Sequence, residues 1–171
     1  LIFSVLLASG AIASACRRAS EPAAQVGGEP AREEPAPVRE DFSLAGETVA
    51  SEHSRFDMGR VHDLFDNDDS TLARTEMAKT AFVDLTFPAP RPIKAVAITT
   101  GSMDVGLAVH VTLEGSGSPE SYTKEFRELP KDPTVNLDLG TAAKPVRRIR
   151  VEVRNLQNGD GHVHIREIRF S

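Results

Sequence analysis

The chain has no tryptophan, one tyrosine (Tyr122) and one cysteine (Cys16) among its 171 residues. A lone thiol closes no disulfide within the chain, so the fold has to be held by its core. No P-loop or dinucleotide fingerprint is present. There is no Gly-x-Ser-x-Gly nucleophile elbow and no convincing Ser-His-Asp arrangement, so nothing marks an enzyme. The formal charge of −5 argues against a general nucleic-acid binder. No internal repeat is visible.

Long apolar runs are missing too, except at the start. Residues 1–15 read LIFSVLLASGAIASA, an apolar stretch ending in small residues, as in the hydrophobic region and cleavage site of a secretory signal. Neither Met nor a positively charged leader precedes it, so the sequence is expected to begin inside that signal. A membrane helix needs about 20 apolar residues, and this run is shorter and meets Arg17 and Arg18 at once. The tetrapeptide Ala13-Ser14-Ala15-Cys16 resembles the bacterial lipobox, whose cysteine is acylated and becomes the mature N-terminus. Several acyl chains on Cys16 would hold a domain firmly on a membrane. Arg17 rather than Asp follows the cysteine, which in a host with two membranes resembles a protein sent to the outer one. Neither disulfides nor thiol chemistry is then left to explain the rest of the chain.

Residues 16–41 are expected to form a linker after the lipidated cysteine. Pro, Ala, Glu and Gly dominate them, and such a segment buries too little surface to offset its ordering entropy. It serves either as a spacer that lifts a domain off the membrane or as a tail with no role. Residues 42–171 are the size of one domain.

That domain reads as all-β. Ala81, Val83, Leu85 and Phe87 alternate with Phe82, Asp84 and Thr86, the period of a half-buried strand, and Pro88, Pro90 and Pro92 are expected to end it. Further strands are expected over 93–99, 107–113, 122–126, 135–139, 148–153 and 162–170. Turn-rich breaks between many short strands suggest a β-sandwich or barrel. Residues 72–79 have the composition for one helical turn.

Two places break the alternation. Leu64-Phe65-Asp66-Asn67-Asp68-Asp69-Ser70-Thr71 is an oxygen-rich loop beside two apolar anchors. It suits either a hard cation such as calcium or a solvated acidic turn, and it lacks the EF-hand spacing. In the last strand Val163 and Ile165 share one parity, while Ile168 and Phe170 share the other. A bulge at Arg166-Glu167 would produce that switch and turn Glu167 inward, where a carboxylate needs a partner.

These pieces, with Val49-Ala50-Ser51, Val111-Thr112-Leu113-Glu114-Gly115-Ser116, Val146-Arg147-Arg148-Ile149-Arg150-Val151 and Ile165-Arg166-Glu167-Ile168, resemble the discoidin family, or coagulation factor 5/8 type C domain. Family 32 carbohydrate-binding modules are similar. The resemblance spans about residues 48–171 and implies a jelly-roll β-sandwich of the galactose-binding-like kind, with about eight strands. It also implies a structural calcium held by the side chains of Asp66, Asp68, Thr71 and Glu167 and the backbone oxygens of Asp63 and Arg166. Asn67 stands where the family usually has glycine, and Leu72-Ala73 where a tryptophan commonly follows. Family members that bind sugars stack rings on exposed aromatics. With Phe82, Phe87 and Phe126 assigned to the core, only Phe56 and Tyr122 are left for that role.

Arginines cluster late, at 147, 148, 150, 154, 166 and 169. Arg154, Asn155, Asn158, Asp160 and His162, with Phe56, are the candidate ligand-binding residues for a polyol or anionic glycan; the plainer reading is a solvated strand face. His162 and His164 share a strand face, but no tetrahedral zinc set is visible around them. The reading that follows is a non-catalytic, lipid-anchored envelope module that recognises carbohydrate or a surface partner. The alternative is a structural or assembly lipoprotein that makes protein contacts without sugar.

Overall fold

The structure is a computed structural model, and its described residues are 35–140, 142–158 and 161–171. The expectations for Cys16, the signal and most of the linker, and for Asp160, lie outside those residues. Eleven strands occur among them: β1 (Val38–Leu44), β2 (Glu47–His53), β3 (Phe56–Met58), β4 (Ala73–Thr75), β5 (Thr80–Ile93), β6 (Ala95–Thr100), β7 (Val105–Leu113), β8 (Glu120–Phe126), β9 (Thr134–Asp138), β10 (Lys144–Asn155) and β11 (His164–Phe170). A six-stranded sheet runs β1-β2-β5-β10-β7-β8 and a five-stranded sheet runs β3-β4-β11-β6-β9. Every pairing is antiparallel. The described domain is therefore the all-β sandwich that the sequence implies.

The period-two pattern builds the core. On β10, Val146, Ile149, Val151 and Val153 are buried, and on β7 so are Val105, Leu107, Val109 and Val111. They face Val96 and Ile98 of β6 and Ile165 and Ile168 of β11, which belong to the same buried cluster. Burying such side chains contributes about 1.5–3 kcal/mol each before the entropy of ordering them.

Four expectations are corrected. The linker does not run to Asp41. Val38, Phe42 and Leu44 follow a period of two, and β1 pairs Val38 with His53 and Leu44 with Glu47; the prolines and glutamates before it hide that alternation. The count of eight strands misses β1 and the three-residue β3 and β4. The prolines do not end β5: Thr86 pairs with Arg148 and Arg91 with Val146, so residues 87–90 loop out of the ladder while one residue, Arg147, does so opposite them. Pro88 and Pro90 thus sit where no backbone donor is needed. Finally, no helical turn forms at 72–79. The helical turn is the 3-10 helix η1 (Val61–Phe65), closed by the Arg60 N–H donating to Asp63 Oδ2 at 2.9 Å. Among the described residues no helix is long and apolar enough to cross a membrane.

Candidate metal centre and loop end

The acidic loop leaves η1 with its two anchors in place. Leu64 is fully buried, and Phe65 stacks on Phe42 with ring centroids 5.4 Å apart. Asn67 takes a positive φ of 61°, a conformation that Asn tolerates better than most residues. The Thr71 hydroxyl is the point of convergence. It lies 3.1 Å from the Asp63 carbonyl, 3.3 Å from Asp66 Oδ1 and 2.7 Å from the Asp68 carbonyl. The Asp68 side chain turns away to accept from the Ser70 N–H at 2.9 Å, and the Ser70 bonds hold its carboxyl below the usual range. Asp66 Oδ1 is engaged in the same way, accepting from the Asp68 N–H at 2.9 Å, so each of the two carboxylates keeps a second oxygen.

Opposite the loop, β11 carries the expected bulge. Its register against β6 slips between Ile165 and Glu167, and Glu167 is only 1% exposed. Its Oε2 has no hydrogen-bond partner among the described residues. Burial pushes the Glu167 carboxyl up, and Asp66 and Asp69 add to the rise; Arg169 and a bond from the Asn67 backbone oppose it. Arg166 ties strand to loop by donating from Nη1 to the Asp69 carbonyl at 3.2 Å.

A buried carboxylate oxygen left unpartnered, close enough to Asp66 and Asp69 to feel their charge, is costly unless a cation or proton joins it. The set fits a hard cation such as calcium, which takes oxygen ligands of mixed kind. It is not a cage of carboxylates: among the described residues no three His, Cys, Asp or Glu side chains gather as metal ligands.

The candidate ligand residues separate. Asn155 and His162 come together, because Asn155 Nδ2 donates to the His162 carbonyl at 3.0 Å. The His162 ring meets the Thr75 carbonyl, and the Thr75 hydroxyl accepts from the Val163 N–H at 2.8 Å. Asn155 Oδ1 accepts from the Gln157 N–H at 2.9 Å, and Asn158 is exposed beyond it. Arg154 points the other way, onto the outer face of the six-stranded sheet, where it pairs with Glu125 at 2.9 Å. Phe56 is half-buried and stacked on the His53 ring, 5.1 Å away and 10° from parallel. Tyr122 is half-buried, with Lys144 over its ring at 5.2 Å. Phe82, assigned to the core, instead lies half-exposed under Arg150 on the outer face. Thr75 was not among the candidates, since it falls in the stretch read as a helical turn.

The late arginines are divided by strand parity and topology as well. Arg148, Arg150 and Arg154 lie on the outer face of the six-stranded sheet. Arg147 bonds the Pro88 carbonyl. Arg166 and Arg169 serve the acidic loop.

No protein-family model matches the chain, and no curated protein matches it by sequence. Solved structures do match. A GH29 fucosidase of Ruminococcus gnavus in complex with fucose aligns with TM-score 0.56 and 15% identity over 71% of this chain, which spans 25% of that one. An F5/8 type C domain from Bacteroides fragilis aligns with TM-score 0.56 and 15% identity over 77% of this chain and 95% of its own. The family 32 module of AlyQ, in complex with 4,5-unsaturated mannuronic acid, aligns with TM-score 0.56 and 14% identity over 77% and 98%. At such identities the likeness establishes the fold, a discoidin-like, galactose-binding-like sandwich, and not a ligand.

Proposed function

We propose that the chain is a non-catalytic glycan-binding module of the cell envelope, held on a membrane by lipid at Cys16, that contacts sugar hydroxyls with the loop end around Asn155 and His162. The observation that carries this reading is the locked frame of that loop. Thr75, Asn155 and His162 hold one another by the bonds described above, and Lys79 Nζ approaches the Gln157 carbonyl at 3.5 Å. The Gln157 backbone is thereby held at its N–H and its carbonyl, which fixes the point from which its exposed side chain extends, next to exposed Asn158, and lowers the entropy lost on binding. The fold shared with modules crystallised with sugars supports the same reading.

Calcium in this proposal is structural. The side chains of Asp66, Asp68, Thr71 and Glu167 and the backbone oxygens of Asp63 and Arg166 would hold it, and the ion would supply charge balance for Glu167 and perform no chemistry. The assembly alternative has one observation in its favour: Met58 and Met77, on and beside the β3–β4 edge, are 47% and 50% exposed.

A glycan array in calcium-containing buffer tests the proposal. Specific binding is expected, with at least a tenfold loss on Asn155→Ala or Asn158→Ala. Asn158 is exposed, so its replacement leaves the fold intact. Failure of every glycan would overturn sugar recognition in favour of protein contacts. Metabolic labelling with a fatty acid tests the anchor, with label expected in the wild type and absent from Cys16→Ala.

A further inference from the structure

The outward side chains of β10 from residue 148 on are Arg148, Arg150, Glu152 and Arg154, alternating with its core residues. Beside them the outward positions of β7 fall from Thr112 and His110 to Ala108 and Gly106, so a groove runs along β7 between β10 and β8. At its Thr112 end a cleft of about 470 Å³ opens between Asp84, Arg148, Arg150, His110, Thr112 and the turn at Gly117.

The charges in this cleft are layered. Asp84 is the only carboxylate in the lining and lies beneath it, with a side chain 5% exposed against 55% for Arg148 and 36% for Arg150. Arg148 grips Asp84 with two bonds, Nε to Oδ1 at 2.7 Å and Nη2 to Oδ2 at 2.6 Å. The Arg150 guanidinium lies over the Phe82 ring at 3.9 Å and donates from Nε to Glu152 at 2.6 Å. His110 Nδ1 meets the Ser121 hydroxyl at 2.8 Å, which leaves Nε2 of the ring free for a ligand. The nearest other carboxylate is Glu152, already bonded by Arg150; Glu52, whose charge Arg148 also feels, is held by Arg39 at 3.0 Å. The two guanidiniums are thus held by two carboxylates, the buried Asp84 and the half-buried Glu152, and both stay partly exposed.

We infer that this cleft binds the carboxylates of an acidic glycan, a chain containing uronic acid, on the sheet face and apart from the loop end. The inference rests on the glycan-binding reading above and adds a second surface and a ligand class to it. A planar guanidinium matches a carboxylate with two parallel hydrogen bonds. Arg148 and Arg150 are held in place by Asp84 and Phe82, so little side-chain freedom is lost when the ligand arrives. Thr112 and His110 add groups for sugar hydroxyls. A separate depression of about 620 Å³ over Gly106 and Ala108 is lined by Arg154 and Lys124 and equally by Glu125 and Glu152, with Arg154 paired to Glu125 at 2.9 Å, so the carboxylates of the ligand belong to the Arg148–Arg150 cleft. Asp84 acts here as a positioning residue for Arg148.

Calorimetric titration with tetragalacturonate, and with a neutral tetrasaccharide for comparison, tests the inference. The acidic tetramer is expected to bind the better of the two, and more weakly as salt rises. Arg148→Gln should cost at least tenfold, and Arg148→Lys several-fold, because lysine keeps the charge and loses the fork. His110→Ala should also cost several-fold and leaves the Asp84–Arg148 pair intact, so its loss is not one of folding. Lys131→Ala, an exposed cation outside both surfaces, should leave acidic binding unchanged. Acidic binding that survives Arg148→Gln and His110→Ala but falls with Asn158→Ala would overturn the sheet site and keep the loop site. Binding of neutral glycans alone would do the same. No binding of any glycan would overturn both.

Discussion

Lys144 sets its ammonium against both the Glu120 carboxylate and the Tyr122 hydroxyl, which itself donates to Glu120 Oε2 at 2.6 Å. The lysine bond first and the tyrosine bond second hold the Glu120 carboxyl below its usual range. A carboxylate with a lowered folded pKa contributes stability above its ordinary pKa and loses it as pH falls through the folded value. Carbon-detected NMR should therefore find Glu120 titrating below the ordinary glutamate value, and Lys144→Met should raise it, with the Tyr122 bond left to hold it down in part. An unchanged midpoint in that variant would show that the pair does not persist in solution. Gly101 poses a different residue-scale test. A Cβ built there would lie 2.8 Å from the His164 Cβ, and Gly101, which directly follows β6, is held against β11 by its N–H donating to the His164 carbonyl at 3.0 Å. Gly101→Ala should destabilise by about 1–3 kcal/mol, the usual range for overpacking, as a fall in the urea midpoint with unchanged slope.

At the scale of elements, β10 is the keystone, because it pairs with β5 on one side and β7 on the other. Ile149→Ala on it should cost about 2–5 kcal/mol through lost burial and a cavity. Val38→Ala on edge strand β1, where the side chain is half-buried, should cost much less. Urea unfolding of the two variants checks the contrast, and equal losses would mean that β10 is not central to the core. What was readable beforehand follows the same division. The long strands announced themselves because one face is buried and the side-chain period is two. The switch of parity after Ile165 even located the bulge that buries Glu167. The short strands β3 and β4 have too few residues to show a period. The prolines of β5 misled because proline forbids only the ladder hydrogen bond, and residues 87–90 leave the ladder. The candidate site was legible only as residue types. Strand parity sent Arg154 and Asn155 to opposite sides, a consequence of spacing that composition conceals. Asp84 looked like an ordinary outward strand residue until Arg148 and Arg150 were found covering it.

For the whole molecule, the open question is what completes the junction between the η1 loop and β11. Glu167 is buried there with one oxygen unpartnered, close enough to Asp66 and Asp69 to feel their charge. Two accounts make opposite predictions for Glu167→Gln. If calcium sits at the junction, the variant loses a charged ligand, and its melting temperature in millimolar calcium falls below that of the wild type. If no cation binds, the variant removes an ionisable group from an apolar setting, and its melting temperature rises. Our proposal predicts both results, each under its own condition: a lower melting temperature with calcium and a higher one in EGTA. The wild type itself should lose several degrees on addition of EGTA, since an ion at a hundredfold excess over its Kd contributes about 2.7 kcal/mol to the native state. A wild-type melting curve indifferent to EGTA, with Glu167→Gln more stable in every buffer, would remove the ion and leave a protonated glutamate as the group that closes the junction.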